Sequence, residues 1–506
     1  MPSIPVSLPS PTGGWDAKNA LGNMPPTNAV ILNNWFPRPS DVILRYGHTQ
    51  FATGFDTDVY AVMAYNGGAT QKLFAASNGN IYDITAGGAI GAPVISGQAS
   101  NQWKHTNVAT PAGTFLYIAN GVDAPWVFNG TSWQQVTGSS TPVSITGVTT
   151  TLLHTPYVAK QRLWFIEKNS LRAWYLPVQS IGGAANSVDL SALCRRGGYI
   201  VDMIEWTITG GFGISDYVAF ITSEGELLVY GGTDPTNANA WSLEGIWYMG
   251  SPVGNKPLCK FGADALLLGK DGMISLSQGK FFADIAPLKS TITDTIQFAI
   301  SSATSLYSSY YGWQMQNYPL NNMLLLNVPI PNAQQQYVMN TITGAWCNFT
   351  GWNANCWEMY KDQIYFGSSN YVGLAWNGLD DAGTNIVGDG LQAFNYFGMQ
   401  GVYKRYTMMR PILTSSGQPA IAGNVNVDFD TTDPNTTLAF SPNTIPLWDS
   451  AVWDRAVWSP GSLVLKNWQG TNGVGYAAAP RLKVACSGMT VTWISTDVVM
   501  EKGAVL

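Results

Sequence analysis

Charge is scarce in this chain: 11% of its 506 residues are Asp, Glu, Lys or Arg, against roughly a quarter in an average soluble domain. A freely soluble monomer relies on interspersed surface charge. The deficit therefore points to a chain that hides much of its surface in an assembly, or to β-structure whose surface is Asn, Gln, Ser and Thr. The formal net charge is −6 and Lys and Arg form no dense cluster, which disfavours tight duplex binding. Close passage of nucleic acid without adhesion stays compatible.

Histidine is scarcer still. His48, His105 and His154 each stand alone in sequence, with no second ligand at metal spacing, and are expected to be structural. The five cysteines, Cys194, Cys259, Cys347, Cys356 and Cys486, are odd in number and contain no C-x-x-C. They read as reduced core thiols rather than a disulfide framework. No apolar run reaches the roughly 18 residues of a spanning helix, and "MPSIPVSLPSPTGGW" has no signal-peptide pattern, so synthesis in a cytoplasm is expected. Nucleophile elbow, P-loop, dinucleotide fingerprint and zincin pair are all missing. Glycosidase chemistry needs two positioned carboxylates. Adjacent Asp380 and Asp381 would point to opposite faces of an extended chain, so they read as a loop or hinge pair. "NGTSW" from Asn129 keeps only the end of a sialidase-type box. No enzyme is expected, and no catalytic, cofactor-binding or metal-binding residue is assigned.

What the chain has in quantity is aromatics, with 20 Trp, 23 Tyr and 19 Phe, too many anchors for a disordered segment. It also repeats one phrase. Asn-Gly occurs at Asn66, Asn78, Asn120, Asn129, Asn377 and Asn472, and Asp-Gly at Asp271 and Asp389. Both tolerate the positive φ of tight hairpin turns. Apolar runs such as Leu73–Ala76, Phe115–Ala119 and Leu266–Leu268 lack alternation, as strands covered on both faces do. Aligned, they give Leu73, Leu116, Leu163, Val218, Leu266, Leu324 and Ile364, in steps of 43, 47, 55, 48, 58 and 40 residues. Four-stranded propeller blades recur at ~40–50 residues. Each such sheet is covered by its neighbours around a closed circle. In the phrase Gly130-Thr-Ser-Trp133, echoed at Gly344-Ala-Trp346, the Trp is expected to clip a blade's turn to its neighbour.

The expected fold is therefore all-β: a propeller of six or seven blades with insertions and a C-terminal sandwich-like region. Residues 1–56 are read as an extended segment with the first strands, 57–378 as the propeller and 379–506 as the sandwich. One helix is expected near 287–301, where Leu288, Ile292, Ile296 and Ile300 recur every four positions and Pro287 suits a first turn. Trp448, Trp453 and Trp458 stand five apart, a spacing of neither strand nor helix. They are read either as a subunit contact, where Trp is enriched, or as part of the sandwich core.

The N-terminal stretch "NALGNMPPTNAVILNNWFPRPSDVILRYGHTQFATG" carries Ala29, Leu32, Asn34, Trp35, Phe36 and Pro37, then Arg45 and Gly47. It resembles the opening of tail nozzle proteins (tail tubular protein B-like) of short-tailed bacteriophages. The ending "MTVTWISTDVVMEKGAVL" is similar to theirs. The resemblance implies a virion structural protein, six copies of which form a ring below the adaptor, the head-to-tail connector. Viral DNA would pass through that ring without sequence-specific binding, and a tail fibre or needle could dock distally. It assigns no individual residue to a channel or gate. Competing readings are a receptor- or glycan-binding propeller of a phage tail and, last, a propeller glycosidase.

Overall fold

The computed structural model describes residues 3–210, 213–237, 239–277, 291–433 and 463–503. Seven antiparallel sheets follow one another along the chain. Blade 1 comprises Val59–Gly67, Thr70–Ser77 and Asn80–Asp83, and blade 2 comprises Lys104–Thr110, Gly113–Ala119, Trp126–Phe128 and Trp133–Gln135. Blade 3 is Leu153–Ala159, Arg162–Glu167, Arg172–Tyr175 and Asn186–Asp189, and blade 4 is Ile200–Gly210, Gly213–Thr222, Glu226–Gly232 and Trp241–Tyr248. Blade 5 has Leu258–Phe261, Asp264–Gly269 and Gly272–Ser275, and blade 6 has Gln314–Tyr318, Met323–Val328, Gln335–Asn340 and Trp346–Thr350. Blade 7 consists of Cys356–Tyr360, Gln363–Gly367 and Tyr371–Ala375, completed by the distant strand His48–Thr53. The first strand of every blade touches the first strand of the next, and Cys356–Tyr360 of blade 7 touches Val59–Gly67 of blade 1. The circle is closed, and the protein contains a seven-bladed β-propeller.

The seven aligned apolar positions are the second strands of these seven blades. Along such a strand, successive side chains enter different interfaces. Leu73 and Ala75 pack toward blade 7, Phe74 and Ala76 toward blade 2. Leu116 and Ile118 join blade 1, while Tyr117 and Ala119 join blade 3. In blade 6, Leu324 and Leu326 meet blade 5, and Met323 and Leu325 meet blade 7. Continuous hydrophobicity is thus the pattern of a strand with no solvent face. Trp133 does clip its turn to the neighbour, its ring 4.9 Å from Phe74 of blade 1.

Asn78 (φ 50°) and Gly79 (φ 71°) make the two-residue turn between Ser77 and Asn80. Asp389-Gly390 and Asn472-Gly473 instead lie within strands. Glycine is needed there for space: a Cβ on Gly390 would lie 2.6 Å from the Trp493 ring, and one on Gly473 would lie 2.8 Å from Val427.

The helix runs from Gln297 to Tyr307, preceded by a 3₁₀ turn at Asp294–Ile296. It begins later than the expected 287–301 because residues before it are engaged elsewhere. Ile292 N–H donates to the Met273 carbonyl (3.0 Å), and the Thr293 hydroxyl accepts from Met273 N–H (3.1 Å), so this stretch lies along blade 5's outer strand. Ile296, Ile300 and Ala303 then pack between blades 5 and 6. Residues 287–290 lie outside the described residues.

Two further sheets form the sandwich. One joins Leu463–Leu465, Lys404–Ser415, Val491–Lys502, Val42–Leu44 and Trp35–Pro37, with Ser3–Pro9 and Gln469–Gly475 attached. The other joins Asn28–Asn33, Ile386–Gln392, Ala478–Cys486 and Ala420–Val427, and continues into blade 6 where Asn33 pairs with Asn348. Residues 3–44 thus supply sandwich strands and 48–53 supply a propeller strand. One apolar core holds Trp35, Trp493 and Leu482 of the sandwich together with Leu325 and Val338 of blade 6 and Trp357 and Phe366 of blade 7.

Because both faces of a second strand are buried, Leu324→Ala and Leu325→Ala should each cost ~2–5 kcal/mol, measured by denaturant titration. A strand covered on one face only would give one near-neutral neighbour.

Candidate functional site

The first strands line the propeller axis, and polar side chains on or beside them link blades that are not adjacent. His105 of blade 2 lies 3.2 Å through Nε2 from Glu358 Oε1 of blade 7. The Tyr311 hydroxyl, at the entry to blade 6, donates to the Tyr60 carbonyl of blade 1 at 2.7 Å. Lys104 of blade 2 donates to Thr155 Oγ1 of blade 3 (2.8 Å) and to the Val201 carbonyl of blade 4 (3.5 Å), with Asp202 Oδ1 at 3.9 Å. Blades 2 and 7, 6 and 1, and 2 and 4 are each separated by one blade, so these contacts tie every inner strand they involve to the next but one around the ring.

Burial pushes the Lys104 ammonium down despite the attraction of Asp202, and pushes the Asp202 carboxyl up despite Lys104. Each is driven toward its neutral form, as desolvation of a buried pair dictates. Beside them, His154 holds Thr155 Oγ1 at 2.7 Å. Its pKa is well below the ordinary histidine value because of burial first and then the charges of Lys104 and Lys168.

On one face of the propeller the axis opens into a cavity of about 710 Å³, lined among others by Lys104, His154, Lys168, Tyr199, Lys270 and Tyr310. These come from blades 2, 3 and 5 and from the segments that lead into blades 4 and 6.

A second polar cluster lies where sandwich and propeller join. Asn34 adopts a left-handed conformation (φ 62°), which asparagine tolerates. Its amide nitrogen donates to Thr350 Oγ1 (2.9 Å) and the Val387 carbonyl (2.8 Å), while Oδ1 accepts from Arg45 Nε (2.8 Å) and Thr350 N–H (2.8 Å). One side chain therefore ties blade 6, the sandwich and the N-terminal segment together. Arg45 also grips Asp381 through two bonds, Nη1–Oδ1 at 2.9 Å and Nη2–Oδ2 at 2.5 Å, with its side chain 1% exposed. Its guanidinium lies 4.8 Å from the Trp352 ring centre. His48 Nδ1 lies 3.1 Å from Asp381 Oδ1, and Nε2 lies 3.1 Å from the Tyr371 hydroxyl. Gly47 is required because a Cβ there would lie 1.6 Å from the Asp380 carbonyl oxygen.

Asp380 and Asp381 do separate work. Asp381 holds Arg45, whereas Asp380 accepts from Gly383 N–H through its carboxylate (2.9 Å) and from His48 N–H through its carbonyl (3.0 Å). Trp448, Trp453 and Trp458 lie outside the described residues. All five cysteines are free. Among the described residues no group of three or more His, Cys, Asp or Glu is placed to hold a metal ion, and no helix is long and apolar enough to cross a membrane.

No protein-family model matches this chain, and no curated protein matches it. Among solved structures it is similar to BBS1N in complex with ARL6DN, soaked with mercury (10% identity, 65% of this chain and 97% of the other, TM-score 0.38). A lead-soaked form of the same complex gives 12% identity, 64% and 94% coverage and a TM-score of 0.39. The strand pairing and the contacts between first strands define the propeller.

Removing one partner of a buried ion pair strands the other, so Arg45→Met and Asp381→Asn should each cost ~3–5 kcal/mol at neutral pH. Burial raises the Asp381 pKa, but hydrogen bonds from His48 and Arg45 and their charges outweigh it, so the folded value is lowered. The resulting stability is complete above the unfolded carboxyl pKa of ~3.9 and is lost as pH falls through the folded value. Denaturant midpoints should show the gap between the native chain and Asp381→Asn narrowing below about pH 4.

Proposed function

We propose that this chain is a structural subunit of a bacteriophage tail, six copies of which form a nozzle ring below the adaptor and surround the path of the ejected DNA. The observation that carries this reading is the phrase shared with tail nozzle proteins and the work its residues do here. Asn34, Trp35, Arg45 and Gly47 lie at or beside the joint of propeller and sandwich, so the resemblance falls on the residues that set how the two bodies meet. A subunit with 11% charged residues suits an assembly whose interfaces resemble cut cores.

Polar contacts bind inner strands to the next but one around the propeller, and in this reading DNA passes between subunits, along outer surfaces, and not through a propeller. A net charge of −6 fits a wall that does not grip phosphates, since each neutralised phosphate strengthens binding. No catalytic step belongs to this role.

Negative-stain electron microscopy and sedimentation of the purified protein, alone and with the adaptor ring, test the proposal. Six-fold rings with an open centre are expected. A monomer that remains monomeric in the presence of the adaptor would overturn it.

A further inference from the structure

We propose that the cavity at the propeller mouth is a binding site for an acidic oligosaccharide. Its volume, about 710 Å³, lies within the ~300–1,000 Å³ of small-molecule sites. Its walls are rich in serine and asparagine, short neutral donors and acceptors of the kind that match sugar hydroxyls. Tyr199 and Tyr310, 42% and 48% exposed, also line it. They offer flat apolar faces with polar tips, against which the C–H face of a sugar ring can stack.

Charge gives the ligand its sign. Lys168 and Lys270 both line the cavity and are exposed, and neither forms an ion pair among the described residues. Glu224 is the one carboxylate in the lining. Lys104 forms part of the lining with Asp202 behind it. The mouth therefore carries a positive surplus on a protein whose net charge is −6.

A carboxylate-bearing sugar fits this surplus better than a phosphate. No arginine lines the cavity to supply the two-pronged grip that phosphate favours. Ser308–Tyr311 follow the C-terminus of the helix Gln297–Tyr307, the end whose carbonyls repel a dianion. Lys168 and Lys270 sit on different blades, as point charges suited to separate single carboxylates along a chain of sugar rings.

Binding at this mouth requires no ring, and the full chain as purified serves for the test. Tetragalacturonate, maltotetraose, inorganic phosphate and tetrathymidylate would be titrated calorimetrically. Tetragalacturonate should bind, more weakly as salt is raised, and with affinity reduced about tenfold or more in Lys168→Ala/Lys270→Ala. Tyr199→Ala should weaken it too, while maltotetraose should be indifferent to the lysine changes. These exposed positions leave the core untouched, and circular dichroism would confirm the fold. Failure to bind tetragalacturonate at millimolar concentration, equal affinity in the double-lysine variant, or tighter binding of phosphate or tetrathymidylate would each overturn the proposal.

Discussion

The structure depends on strands that have no solvent face. In each blade the second strand sends alternate side chains into the two flanking interfaces, so a blade alone would leave one apolar surface or the other in water. Burying a large apolar side chain is worth ~1.5–3 kcal/mol, and each second strand has several. No blade can hold its sheet without both neighbours, and closure of the circle supplies the last pair. The strand His48–Thr53, far from Tyr371–Ala375 in sequence, completes blade 7 and so fastens the end of the propeller to its beginning.

The same strand lies three residues after Arg45, which places the closure beside the joint with the sandwich. Asn34 and Arg45 connect blade 6, the sandwich strand Ile386–Gln392 and the Asp381 turn. The continuous sheet from blade 6 into the sandwich and the shared core around Trp35, Leu325 and Trp357 make the two bodies one unit. Polar contacts between next-but-one blades tie the inner strands together. Such a subunit suits an assembly in which position must be held, and its open face offers a cavity lined by Lys168 and Lys270, which form no ion pair among the described residues.

Much of this was legible in sequence because local pattern encodes it. The seven apolar anchors mark seven second strands, and Ile296 and Ile300 mark the buried face of the helix. Its start lies later than the four-residue periodicity indicates because Ile292 and Thr293 bond to blade 5, a tertiary claim that periodicity does not record. Asp389-Gly390 looks like a turn in sequence, yet its glycine serves the Trp493 ring. The site was less legible. Arg45 and Asp381 are 336 residues apart, and Lys104 is brought to Asp202 only by the circle; neither pairing has a sequence signature. Gly47 was visible only through its place in the N-terminal phrase, with no sign of the Asp380 carbonyl that demands it.

The central claim is that the blades form a circle without ends. Native-state hydrogen exchange on the second strands tests it most directly. A closed circle predicts that amides of Leu73–Ala76 in blade 1 and Ile364–Phe366 in blade 7 are protected as strongly as those of Val218–Ile221 in blade 4, all opening in one cooperative event. Early exchange confined to blades 1 and 7, with protection rising toward blade 4, is the behaviour of an open stack with fraying ends and would contradict it.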